Sequence, residues 1–247
     1  MSVFARFRAI DEIQKASVVR KLIEYSTADF DYFYLTGLSV LMATFGLLLN
    51  NSAIVIGSML IAPLMYPILG VSLGLTMSNY SVLGRSISTL VRSLGVALAL
   101  SAGAAFFFGS SEMYQTAEVM SRTVPSILHF FVAVVAGAAV AYVLARPEWS
   151  ETLPGVAISV ALIPPLAATG IGIAALNASV VKGASLILLL NLAGIIGTAM
   201  VIFLLMNLSD RQKQKVAETT IKSEDRKLED ENANIAKLET SLKNNQN

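Results

Sequence analysis

The chain has 247 residues, of which 55% are hydrophobic and 14% are charged, and its net charge at pH 7 is +1. Soluble domains carry roughly 25% charged residues, so this composition argues against a water-soluble fold. The absence of cysteine excludes disulfides and thiolate chemistry. The acidic residues lie before Tyr32, after Leu208 or between the long apolar runs, and none lies within such a run.

Residues 1–31 form the predicted leader. Within Ser2–Tyr25, apolar residues recur at mostly helical spacing among Arg, Lys and Glu, which predicts a short amphipathic helix on the cytoplasmic membrane surface. The segment Ser26-Thr27-Ala28-Asp29 then supplies the cap residues that a helix start requires. A merely solvated leader is the alternative interpretation.

Six long apolar runs occupy residues 32–208. A helix needs roughly 20 apolar residues to cross about 30 Å of hydrocarbon, so these runs predict an all-α integral membrane protein with about six transmembrane helices. The predicted spans are Phe33–Leu49, Ala53–Met77, Leu83–Gly109, Pro125–Ala145, Pro154–Leu176 and Gly183–Asn207.

The apolar region repeats itself. Ile61-Ala62-Pro63-Leu64 aligns with Ile163-Pro164-Pro165-Leu166 at an offset of 102 residues, and after a short deletion the segment from Asn79 aligns with the segment from Asn177. The repeats cover about 32–109 and 125–207, with three predicted spans each. Because three is odd, the second repeat would cross the membrane in the opposite sense, as in the inverted repeats of secondary transporters. Chance similarity between two apolar helices is the alternative.

Prolines lie near the middle of the second and fifth spans. Pro63 and Pro67 occupy one, and Pro164 and Pro165 occupy the other. A proline lacks the backbone N–H and clashes with the preceding turn, so two close together favour a break. Irregular backbone at this depth is tolerated only inside protein or beside a wet cavity. We therefore expect broken second and fifth helices with a solute site between them. Proline kinks that serve packing are the alternative.

The candidate site residues lie in these two spans and in the sixth, where a buried amide needs a partner. They are Ser58, Pro63, Pro67 and Gly70 in the second span, Ser159, Pro164, Pro165, Thr169 and Gly172 in the fifth, and Asn191 in the sixth. Hydroxyls and freed backbone groups would coordinate the solute. Half-helices that begin after each break would expose N–H groups, which favour an anionic solute. A cation bound by carbonyls at the ends of the preceding half-helices is the alternative.

Residues 209–247 form a predicted cytoplasmic helical tail with eight basic and eight acidic residues. Apolar residues recur every seven positions, at Ile221, Leu228, Ile235 and Leu242. This spacing resembles the a positions of a coiled coil and predicts pairing between the subunits of a homo-oligomer. Glu224 and Glu231 weaken the d positions, so a solvated single helix is equally compatible.

The basic residues indicate that both termini are cytoplasmic. In that orientation the cytoplasmic segments hold 16 of the 18 basic residues, and the outer loops hold only Arg122 and Lys182. With one histidine, no cysteine and no acidic residue in a span, we expect no metal site, no cofactor and no enzymatic activity. The expected partners are the lipid bilayer and a small molecule or ion, and no nucleic acid.

Three stretches resemble a known family. They are Ala28-Asp29-Phe30-Asp31-Tyr32, the residues from Ala43 to Ala53, and the run VIGSMLIAPLMYPILGVSLGL. The sequence from roughly Asp29 to Leu205 resembles a bacterial and archaeal family of hydrophobic membrane proteins, domain of unknown function number 389. The resemblance implies a polytopic protein of a prokaryotic cytoplasmic (inner) membrane. It brings no established substrate, and therefore no site residue.

These features predict a secondary transporter of a small solute with a midplane site between the two broken helices. A channel for a small solute or an ion is the alternative within transport. A membrane scaffold or sensor that acts through its tail is the alternative from another class.

Overall fold

The computed structural model describes residues 12–26, 29–144 and 152–244, without the side chains of 152–160, 211–212, 231–234 and 236–244. Every regular element within these ranges is helical. The helices are α1 (Glu12–Glu24), α2 (Phe30–Leu48), α3 (Ser52–Met59), α4 (Met65–Met77), α5 (Tyr80–Phe108), α6 (Ala117–Met120), α7 (Ile127–Leu144), α8 (Thr152–Ala174), α9 (Ala178–Leu205) and α10 (Arg211–Asn244), with a 3₁₀ turn at Met113–Gln115.

Four of the described helices, α2, α5, α7 and α9, are long and apolar enough to cross a bilayer. The helix α4 and the described part of α8, Ala161–Ala174, are apolar but shorter. Large apolar side chains also face outward, and those of Phe106, Phe107 and Phe108 are about 70% exposed or more. A soluble monomer rarely exposes contiguous apolar surface of this kind. The helices therefore indicate a membrane protein.

The helix α8 lies at the centre of the bundle. Residues 161–172 are all buried, and α8 contacts α2, α3, α4, α5, α7 and α9. Around it, α5 packs against α8 while α4 packs against α9. Between α4 and α9, the Ser72 hydroxyl donates to the carbonyl of Ile196 over 3.2 Å. The proline-bearing segments of α4 and α8 therefore each pack against a long helix, α4 against α9 and α8 against α5.

Three helix connections share one local geometry. In each, a residue with φ between 51° and 53° ends one helix, and the asparagine that follows caps the next helix; the pairs are Asn50-Asn51, Ser78-Asn79 and Leu176-Asn177. The asparagine N–H donates to the carbonyl of a glycine five residues earlier, over 2.9 Å at Gly46 and 3.0 Å at Gly74 and Gly172. The predicted alignment of Asn79 with Asn177 thus joins two turns of the same geometry.

The tail helix α10 packs against α1. Glu12 accepts a hydrogen bond from Lys15 over 2.8 Å and another from Lys213, and the ammonium groups of both lysines are buried. These two bonds lower the pKa of Glu12 to about 2. Ile221, the first residue of the predicted heptad seam, is buried within its own chain. Pairing between subunits stays a prediction for the remainder of the seam, where Leu228 and Ile235 are exposed and Leu242 lies outside the described side chains.

Candidate functional site

The second predicted span is interrupted between Met59 and Met65. Pro63 has no N–H to donate to the Met59 carbonyl, and its ring disfavours helical geometry at Ala62. Pro67, in contrast, lies in the first turn of α4, where backbone N–H groups have no partner within the helix. The predicted break is present, with Pro63 inside it and Pro67 compatible with the helix that follows.

Serine hydroxyls hold the carbonyl groups on both sides of this break. The Ser39 Oγ donates to the Ser58 carbonyl over 2.7 Å, and the Ser26 Oγ donates to the Tyr66 carbonyl over 3.0 Å. The candidate Ser58 is itself buried, and its hydroxyl donates to the Val55 carbonyl over 2.6 Å. Ser58 therefore contributes its carbonyl to the contact at the break, while its hydroxyl is bonded within α3.

A pocket of about 450 Å³ opens beside the break. Its lining comes from α1, the start of α2, the break, the start of α4 and the tail: Glu24, Tyr25, Asp29, Asp31, Tyr32, Leu35, Pro63, Tyr66, Glu224 and Lys227. The lining therefore carries four carboxylates and one ammonium group. The net negative lining lies beside backbone groups that the break has removed from a regular helix.

The tail forms one wall of this pocket. Lys227 Nζ donates to Glu224 Oε1 over 2.6 Å, and this bond raises the pKa of Lys227 above its ordinary value. Glu24 of α1 adds to the same upward shift through its charge. The side chain of Glu224 is only 12% exposed, whereas that of Lys227 is 68% exposed. The pocket therefore has a largely shielded carboxylate on the tail side.

The predicted break in the fifth span is wrong, because α8 runs without interruption through Pro164 and Pro165. Pro165 leaves the Ala161 carbonyl without its helical donor. The side-chain amide of Asn191 in α9 replaces that donor, with Nδ2 2.5 Å from the carbonyl oxygen. Neighbouring polar side chains commonly satisfy groups that proline frees in membrane helices, and here the replacement satisfies the Ala161 carbonyl within a continuous helix.

The other candidate residues of α8 and α9 whose side chains the structure describes are also buried. Thr169 Oγ1 donates to the Pro165 carbonyl over 2.8 Å, which turns this hydroxyl toward its own helix. The Oδ1 atom of Asn191 is buried without a hydrogen-bond partner. Gly172 belongs to the turn before α9, and the side chain of Ser159 lies outside the described ones. Asn191 therefore contacts the proline segment through its hydrogen bond to the Ala161 carbonyl of α8.

The structure brings the ten candidate residues together only in part. Pro63 lines the pocket. Gly70 lies about one turn after Pro67 in α4, where an added Cβ would meet the hydroxyls of Ser26 and Ser86. Pro164, Pro165, Thr169 and Asn191 form a separate, closely packed group around α8. In place of two breaks, the structure therefore has one interrupted segment beside a pocket and one continuous, buried proline segment.

Sequence reasoning missed the residues that give the pocket its charge. In the sequence, Asp29 indicates a helix cap and Glu224 belongs to the predicted tail, while Glu24 and Asp31 carry no prediction of a site. The sequence carries no signal for a site at these residues, because carboxylates are costly within a membrane segment and these four lie outside the long apolar runs. Their convergence on Pro63 depends on how α1 and α10 fold back, which spacing along the chain does not reveal.

The long apolar helices and the large apolar side chains that face outward indicate an α-helical membrane protein. The chain belongs to the family described as Domain of unknown function (DUF389), whose model matches residues 59–197, and this confirms the resemblance seen in the sequence. An uncharacterized protein of Methanocaldococcus jannaschii is 32% identical over 166 residues, which are 67% of this chain and 51% of that relative. The chain thus spans about half the length of the curated relative it matches. No solved structure matches the chain.

Proposed function

We propose that this protein is a secondary transporter of a small solute, which enters from the pocket and passes the interrupted span at Pro63. One observation carries the proposal: the break between α3 and α4 lies beside a charged pocket of about 450 Å³. Interrupted backbone in a membrane segment is typical of transporter sites, where it lines a cavity and exposes carbonyl and N–H groups. With both termini cytoplasmic, the pocket is the cytoplasmic entrance.

The lining favours a solute with positive charge. Four carboxylates at the entrance attract cations, and the carbonyl groups at the end of α3 can coordinate one. The anionic preference expected from the sequence relied on two helix starts near the midplane, and the continuous α8 leaves only the start of α4. We therefore infer that the solute is a small cation. Flux of an anion in transport assays would contradict this inference.

An inverted repeat of six spans remains part of the proposal, and two observations support it. The turns at Asn79 and Asn177, which the alignment pairs, have the same capping geometry. In each half, the proline-bearing segment packs against the long third helix of the other half, α4 against α9 and α8 against α5. Such exchange of contacts is what a two-fold relation between the halves would produce.

A channel differs from a carrier in rate, and a scaffold differs in having no flux at all. The full chain would be placed in liposomes, and the response of a potential-sensitive dye would be followed under gradients of Na⁺, K⁺ or methylammonium, and of chloride or phosphate. Flux above about 10³ per second would favour a channel over a carrier, whose conformational cycle takes microseconds to milliseconds or longer. No flux of any probe would favour the scaffold.

The decisive variant is Pro63→Ala, which restores an N–H at the break and allows α3 and α4 to join. We expect it to lower cation flux at least about tenfold, because rigid pre-organised geometry typically contributes that much. Pro125→Ala is the matched control, since Pro125 is exposed in the loop before α7. Circular dichroism would verify that both variants fold. Equal flux in folded Pro63→Ala would remove the break from the proposed pathway.

A further inference from the structure

The tail helix does more than follow the last span, because its contacts return it to the break. Near its start, the Gln214 amide donates to the carbonyl of Met77 at the end of α4, over 3.4 Å. About three turns further along α10, Asp225 pairs with Arg85 near the start of α5. Glu224 and Lys227, which flank Asp225 in the sequence, line the pocket that contains Pro63.

The contacts of α10 differ in strength along its length. At the base, the side chain of Lys213 is 3% exposed and pairs with Glu12, which is 58% exposed, and Ala217 and Ile221 are buried. At the pocket, the Arg85–Asp225 pair is partly open to solvent, with side chains 30% and 45% exposed. Ion pairs as exposed as this contribute little and are screened by salt. The base is therefore anchored, while the segment over the pocket is held by weaker contacts.

We propose that α10 is a lid on the pocket, hinged at its buried base and latched by the Arg85–Asp225 pair. When the latch opens, Glu224 and Lys227 move away, and the pocket around Pro63 and Tyr66 becomes more accessible. Raising the ionic strength favours the open position because it weakens the latch. The inference rests on the location of the pocket and not on transport, so it can fail or succeed independently of the proposed function.

Thiol labelling tests the lid directly, since the chain has no cysteine of its own. Tyr66→Cys places a reporter in the pocket, and Tyr80→Cys, at a side chain that is 86% exposed, places one outside it. Each would be introduced into the full chain in detergent and reacted with a bulky maleimide. Adding Asp225→Arg puts like charges at the latch. Asp230→Arg makes the same charge change at an exposed position of the same helix.

We expect Asp225→Arg to increase labelling of Tyr66→Cys by about 3- to 10-fold, as loss of a weak ion pair and its replacement by repulsion would produce. Asp230→Arg should leave the rate unchanged, the swapped pair Arg85→Asp with Asp225→Arg should restore it, and labelling of Tyr80→Cys should be insensitive to all of them. Truncation after Asp210 removes the whole lid and should give the highest rate.

An unchanged rate after truncation would overturn the lid itself. A rate that rises after truncation but not in Asp225→Arg would overturn the latch. If Asp230→Arg accelerates labelling as much as Asp225→Arg, a general effect of charge replaces the specific pair, and the proposal is again wrong. Salt should accelerate labelling in the parent Tyr66→Cys protein and have little effect in Asp225→Arg.

Discussion

Two segments of this protein carry a pair of prolines, and only one of them is interrupted. The chain leaves helical geometry between Met59 and Met65, whereas α8 continues through Pro164 and Pro165. Pro63 lies inside the interruption, and Pro67 lies in the first turn of α4, where no helical partner is lost. Pro164 and Pro165 lie within α8 itself and remove two donors from a single turn.

The surroundings of the two segments differ as well. Around α8, neighbouring helices supply neutral donors inside the bundle: Asn191 replaces the donor lost to the Ala161 carbonyl, and Ser101 adds a bond to the Ala167 carbonyl over 2.9 Å. The segment α4 receives part of its support from α1 and the tail, which carry charged groups. The two kinds of support should respond differently to mutation and to pH.

The largest effect should follow from removing the donor that seals α8. Asn191→Leu leaves the Ala161 carbonyl unpaired in the bundle centre, which should destabilise the folded protein by about 1–3 kcal/mol. In a Pro165→Ala background the restored N–H can bond to Ala161 within the helix, so the same substitution should cost little. Thermal unfolding of the four proteins of this cycle in detergent measures the difference. An equal loss in both backgrounds would mean that Asn191 acts by packing alone.

A smaller effect should separate the glycines that the alignment pairs, Gly70 and Gly172. A Cβ at Gly172 would lie 3.0 Å from the backbone nitrogen of Val181, which has little freedom to move. At Gly70 the nearest atoms are the hydroxyls of Ser26 and Ser86, which can rotate, and the Ser86 Cβ lies at 3.1 Å. We expect Gly172→Ala to destabilise by about 1 kcal/mol after the helix propensity of alanine is included, and Gly70→Ala by less. Melting temperatures that fall equally would contradict this difference between the two segments.

The smallest effect concerns the ion pairs of Glu12, which join α1 to the tail helix. The contribution of these pairs to stability depends on pH. The folded-state pKa of Glu12 is lowered from 4.5 to about 2. Its contribution to stability is therefore complete above about pH 4.5 and is lost as the pH falls toward 2. Glu12→Gln should lower the melting temperature at pH 7, and the difference from the parent protein should disappear near pH 2.

The matched control is Asn191→Leu, whose effect should not change over the same pH range because no ionisable group takes part in that contact. If the deficit of Glu12→Gln were the same at pH 7 and pH 2, the ion pairs of Glu12 would contribute nothing to the docking of the tail.

Much of the fold could be predicted from the sequence, because it depends on local properties. Long apolar runs predict the helices, Pro63 predicts the interruption, and the asparagines at 79 and 177 mark helix starts. The continuity of α8 could not be predicted, since it depends on an amide contributed by α9. The charge of the pocket was missed for the same reason: Glu24 and Glu224 meet Pro63 only after the leader and the tail fold back.

The length of α5 has a consequence for how the protein sits in its membrane. With 29 residues and a rise of about 1.5 Å per residue, α5 is about 43 Å long, while the hydrocarbon core is about 30 Å thick. An average tilt of about 20° reduces the span of α5 only to about 40 Å. Arg85 lies in the second turn of α5, so a surplus at that end would hold its guanidinium beyond the acyl chains. A thicker bilayer would draw the end inward, so hydrophobic mismatch would act on Arg85 and its hold on Asp225.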